Sequence, residues 1–114
     1  MRYCSPWITT TLAYATDDDL TPEVNLQANY EFLTVILPVL ESTTVTVHIS
    51  DASAGTFIPL HILDDDATGS FAHATSATEG TIAVIFKIGG VQFIKVSLNT
   101  GQTADRIFKV RGFN

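Results

Sequence analysis

Residues 43–50, TTVTVHIS, alternate strictly: Val45, Val47 and Ile49 point one way, and Thr44, Thr46, His48 and Ser50 the other. A period of two predicts an antiparallel strand with one face on a core and one in water. The same signal is dense from Tyr30 onward. YEFLTVILPVL (30–40) is apolar on both faces, and Pro38, with no N–H for a ladder, assigns it to an edge or a bulge. After the turn DASAG, TFIPLHIL (56–63) puts Ile58, Leu60 and Ile62 on a shared face. TIAVIFKI (81–88), Gly89-Gly90 and VQFIKVSL (91–98) predict a hairpin, the glycines supplying the positive φ angles of a two-residue primed turn. Phe86 then opposes Phe93, and Ile85 opposes Ile94. RIFKVRGF (106–113) is a final strand. Ahead of these, DDDLTPE reads as a turn, and WITTTLAYA (7–15) as an extended strand or an arm lying on a neighbour. There is no helical period and no internal repeat. The expected fold class is all-β: a single antiparallel β-sandwich, jelly-roll-like, over residues 30–114, with an extended N-terminal arm over 1–29.

The predicted hairpin carries Ile82, Val84, Phe86, Ile88, Val91 and Phe93 on one face and Ala83, Ile85, Ile94, Val96 and Leu98 on the other. Only one face of a layer points into its own core, so the second is expected to lie under the arm or a neighbouring subunit. Composition points the same way. The 114 residues hold one core, and charged residues make up 16% of them, against about a quarter in ordinary soluble domains. No run approaches the roughly 18 apolar residues of a membrane helix, and residues 1–16 lack the continuous apolar stretch of a cleaved signal; no membrane partner is expected. The single Cys4 excludes an internal disulfide and fits a reducing compartment.

The net charge of −6 is unevenly spread. Residues 1–80 hold eleven acids against Arg2, a balance of −10, whereas residues 81–114 hold five bases against Asp105, a balance of +4. One reading sets acidic and basic strands side by side in one sheet. The sharper one brings a basic flank, with Lys109 and Arg111, against the acidic flank of another subunit. Five bases on separated strands do not make a dense basic patch with interleaved aromatics, so no nucleic acid is expected as a partner.

Candidate chemistry is sparse. In HILDDDATGS the spacing Asp64-x-Asp66-x-Thr68-Gly69 matches the first half of a calcium loop. The second half fails, since Thr75 stands where a bidentate Glu is needed, and the flanks read as strands. The run is therefore expected to be a solvated loop tip that discourages edge association. His48, His61 and His73 do not converge by spacing. No G-x-S-x-G, glycine-rich phosphate loop or plausible pair of buried carboxylates is present, and Cys4 has no His nearby; neither an enzyme nor a cofactor is expected. For binding, Tyr3, Trp7 and Tyr14 cluster near the start as interface anchors, joined by Phe86 and Phe93 of the apolar hairpin.

TVTVHISDASAGTFIPLHILDDD and GGVQFIKVSLNTGQTADRIFKVRGF, about residues 43–113, resemble small β-sandwich virion structural proteins of tailed bacteriophages, of the capsid decoration (cement) type. The resemblance rests on a short Gly-containing turn, a strand ending in an acidic loop, the Gly-Gly pair leading into FIKV, and the closing F-x-V-R-G-F. It implies a non-enzymatic protein made in the host cytoplasm and bound to the capsid surface of the virion. Its implied partners are the major capsid protein, whose contacts it would stabilise, and itself, as a homo-oligomer, typically a trimer. The alternative is a carbohydrate- or receptor-binding module of a phage tail or fibre.

Overall fold

The alternation at residues 44–50 becomes a strand in the computed structural model, which describes residues 3–13, 20–40, 43–63, 69–71, 73–75, 82–98 and 102–114. Its strands are β1 (Ile8–Leu12), β2 (Val24–Leu37), β3 (Thr44–Ser50), β4 (Ile58–Pro59), β5 (His61–Leu63), β6 (Gly69–Phe71), β7 (His73–Thr75), β8 (Ile82–Leu98) and β9 (Arg106–Phe113). All pairings are antiparallel and, among the described residues, there is no helix. The chain is all-β, as its pattern predicts. One sheet runs in the order β1-β9-β2-β8-β3-β4, with β7 also on β3, and β5 and β6 form a separate pair. Two sheets were expected; the main hydrogen-bonded network is a single continuous one.

The Gly89-Gly90 pair does not turn the chain back. β8 continues through it, and β2 runs alongside both halves, pairing Leu33 with Phe86 and Val24 with Ile94. Phe86 therefore does not oppose Phe93. The glycines, at φ 77° and 84°, form a bulge in β8. It faces a bulge in β2, where the register shifts between Asn25 and Tyr30 and again before Phe32. Within the β2 bulge, Gln27 sits at φ 70° and its N–H donates to Asn25 Oδ1 at 2.8 Å. Facing apolar runs around two glycines suit a hairpin and a bulge equally; with β2 available along the whole length, the ladder is longer if the strand continues.

The side-chain alternation survives the bulge. Phe86, Ile88, Ile94, Val96 and Leu98 are all buried, in place of the two-faced arrangement the hairpin required. They join Leu33, Val35 and Leu37 of β2, Val45 and Val47 of β3, and Phe108 and Val110 of β9 in one core. Each such side chain contributes about 1.5–3 kcal/mol when fully buried. Bulges bend strands and increase their twist, and the halves of β2 and β8 on either side of the paired bulges feed the same core. The sheet covers its own inner face.

The expected arm is built into this sheet. β1 pairs residue by residue with β9, from Ile8↔Val110 to Leu12↔Arg106. Ahead of it, Ser5 N–H donates to Gly112 O (2.8 Å), Gly112 N–H donates to the buried Ser5 Oγ (3.0 Å), and Asn114 N–H donates to Tyr3 O (2.8 Å). Leu12, Val24 and Leu26 lie in the common core, so residues 3–12 rest on their own chain instead of crossing to a neighbour. At 56–63 the expected strand divides at Leu60: β4 pairs with β3 at His48 and Ile49, and β5 pairs with β6.

Candidate interaction surface

Register across four strands sets the outer face of the β1-β9-β2-β8 part of the sheet. The inward positions are Phe108 and Val110 of β9, Leu33 and Val35 of β2, and Phe86 of β8. The alternate positions face out in cross-strand rows: Thr9, Lys109, Ile36 and Ala83; then Arg111, Thr34 and Ile85; then Phe113, Phe32 and Lys87. Thr11 and Ile107 extend the face at one end. No carboxylate occupies a register position in these rows, while Lys87, Lys109 and Arg111 place three cations there.

Aromatic contacts organise the cationic end. The Arg111 guanidinium lies 4.7 Å from the centroid of Trp7, a cation–π arrangement that holds both side chains in place. Arg111 Nε is shielded from water and, among the described residues, has no hydrogen-bond partner. Phe32 and Phe113 stack with centroids 5.2 Å apart and planes 23° from parallel. Ile85 is 66%, Ile107 55% and Trp7 44% exposed. Large apolar side chains left this open around fixed cations mark a contact surface more than a solvated one.

The outer face of the rest of the sheet differs. Thr46 pairs with Ser97 and His48 with Lys95, and Lys95 Nζ sits 4.7 Å over the Phe57 ring. Beside it, Glu23 accepts hydrogen bonds from Ala54 N–H (2.7 Å) and Ser53 Oγ–H (2.8 Å). The Ala54 N–H, then the Ser53 hydroxyl, and more weakly the Lys95 charge, hold this carboxyl below the ordinary glutamate value. The pair pins a turn in which Ala54 takes a left-handed φ of 56°. Where β2 and β8 bulge, a cleft of ≈ 150 Å³ is lined by Asn29, Ser50, Asp51, Gly90 and Gln92 among others. That is below the several hundred Å³ of usual small-molecule pockets.

Of the residues singled out in the sequence, Trp7, Lys109 and Arg111 meet on the first face, with Tyr3, 70% exposed, on the strip that pairs with the end of β9. Phe86 is buried in the core and is not available as a contact. Phe93 is half-buried and lies in the other part of the sheet, opposite Ser50 and lining the cleft. Tyr14, Asp64, Asp66 and Thr68 lie outside the described residues. The bases judged scattered along the sequence are not scattered in space: three of the five after residue 80 share one face. Ile85, Phe32, Phe113 and Lys87 were missed. The alternation Ile107, Lys109, Arg111, Phe113 in β9 was the available signal.

No protein-family model matches the chain, and no curated protein matches it. Among solved structures, the SPBc2 prophage-derived protein YomS aligns with a TM-score of 0.52 at 16% identity, over 96% of each chain. Tobacco streak virus coat protein aligns at TM-score 0.44 and 8% identity, over 98% of this chain and 87% of that one, too distant to carry any weight. The likeness to the prophage-derived protein is one of fold: this chain shares its all-β architecture from end to end.

Proposed function

We propose that this protein is a non-enzymatic structural component of a phage particle, a capsid decoration (cement) protein that binds the outside of the capsid and stabilises contacts between major capsid proteins. The observation that carries this reading is the exposed sheet face of Trp7, Ile85, Ile107, Lys109 and Arg111, apolar and cationic with no carboxylate in its rows. Such a surface suits a flat protein–protein contact and offers no concave substrate site. The fold shared with a prophage-derived protein agrees with this assignment. In this role the protein acts as a homo-oligomer on the capsid surface. A carbohydrate-binding role on a tail or fibre fits less well, because one ring face of Trp7, the only Trp, is occupied by Arg111.

The test is co-sedimentation with capsids of the phage that encodes the gene, assembled without this protein. Binding, together with a higher temperature of capsid disruption, is the expected outcome. Failure to bind mature capsids, with specific capture on a glycan array weakened by Trp7→Ala, overturns the proposal in favour of the sugar-binding role.

A further inference from the structure

We infer that the open edge of β1 pairs with the same edge of a second copy, antiparallel and two-fold related, so that the two sheets become one. The inference deepens the oligomeric part of the virion reading and rests on it, adding the contact and its symmetry. Among the described residues, β9 is the only strand beside Ile8–Leu12, and no residue of that run hydrogen-bonds elsewhere. Every second residue of an edge strand directs its N–H and C=O away from the sheet, towards water or another strand. The two edges of this sheet differ in protection. β4, at the far edge, is two residues long and contains Pro59, which has no N–H to offer. β1 has five residues with no proline and no charge, and the whole stretch 3–13 is uncharged. A second copy can approach it without like-charge repulsion at the seam, although the chain carries −6 in all.

The strand matches itself. ITTTL is symmetric in kind about Thr10, and an antiparallel pair centred there sets Thr10 against Thr10, Thr9 against Thr11, and Ile8 against Leu12. Faces agree as well as types: Thr10 and Leu12 are buried and Ile8 packs on the core, whereas Thr9 and Thr11 are exposed. Cross-strand threonine pairs and apolar pairs of this kind stabilise a sheet. The two-fold axis keeps both outer faces on one side, so the surfaces around Ile85, Ile107, Lys109 and Arg111 join into one. The two β9 strands then stand three strand spacings apart, roughly 14 Å. That exceeds the screening length at physiological salt, so their cations do not oppose one another. An isologous contact of this kind closes at two copies.

Sedimentation velocity on the purified protein over a concentration series should show a monomer–dimer equilibrium that salt leaves nearly unchanged. Thr9→Glu/Thr11→Glu opposes like charges across the seam and, with an unchanged β spectrum, should weaken dimerisation at least roughly tenfold. Thr9→Glu/Thr11→Lys carries as many charges but sets each acid against a base of the partner, and should restore it. Position 9 lies beside Lys109 in register, so both variants keep an acid where their own chain accepts one. A cross-link reads the register directly. In a Cys4→Ser background, mixed Thr9→Cys and Thr11→Cys chains should form a disulfide under mild oxidation, because directly opposed residues come within bridging distance. Either variant alone, offset by two residues, should not. The inference is overturned if the wild type stays monomeric, if the two double variants associate equally, or if Thr9→Cys cross-links with itself as readily as with Thr11→Cys. A monomer that loses capsid binding in Thr9→Glu/Thr11→Glu gives the edge to a strand of the capsid protein, and overturns it as well. A monomer that still binds capsids removes only this inference, whereas a dimer that binds no capsid removes only the virion role.

Discussion

Tyr30 is buried, its ring pressed against the backbone of Gly112, where an added Cβ would stand 2.5 Å from Tyr30 Cδ2. Its hydroxyl is shielded from water and, among the described residues, has no partner. An unpaired buried hydroxyl costs about 1–3 kcal/mol, while Phe keeps the ring. Tyr30→Phe should therefore leave stability unchanged or raise it by up to about that amount. A drop of the urea midpoint would show that the hydroxyl is bonded after all. Glu23 behaves differently. Its hydrogen bonds to the 53–54 backbone and side chain lower its folded pKa, so the stability it contributes is present above the ordinary glutamate value near 4.3 and is lost as pH falls through the depressed folded value. Glu23→Gln should accordingly differ from wild type at neutral pH and converge with it in the acid range, followed by chemical denaturation at a series of pH values. A constant difference down to the lowest pH would mean that the charge plays no part in holding the turn.

The elements show where a sequence speaks and where it stays silent. β3 was legible because Val45 and Val47 pack inward while Thr44 and Thr46 do not, a local rule. β9 was legible as a strand for the same reason. The Gly89-Gly90 bend was not, because the choice between turning back and continuing depends on β2, more than fifty residues earlier, and on the matching bulge there. For β1 the sequence left strand and arm both open, because Thr9, Thr10 and Thr11 show no preference of face; its place is fixed by β9, at the far end of the chain. The candidate face was half legible. Trp7, Lys109 and Arg111 stand out by type, but their meeting with Ile85 and Phe32 requires the register of four strands. The bend itself is testable. Gly89 has nothing within 4 Å of an added Cβ, so Gly89→Ala would bring only the left-handed backbone penalty, about 1–2 kcal/mol. Gly89→Asn should cost less, since Asn tolerates that region. Equal stability of Ala and Gly in equilibrium denaturation would show that the bend does not depend on a left-handed residue at 89.

For the whole molecule, the ladder joins sequence-distant segments almost everywhere: β2 with β8, β8 with β3, β1 with β9. Closing such pairs requires long stretches of chain to be ordered before any contact rewards it, so this topology belongs with the slower-folding small domains. The β1–β9 closure has a mechanical consequence. Tyr3 and Asn114 are hydrogen-bonded neighbours at one end of an antiparallel strip. Tension applied between them would open the strip like a zipper, one rung at a time, because each bond in turn carries the whole pull. A force arriving through the broad outer face meets the opposite geometry, spread at once over four strands and the core beneath them. The molecule is thus soft when drawn apart between Tyr3 and Asn114 and stiff when pressed or sheared through its face.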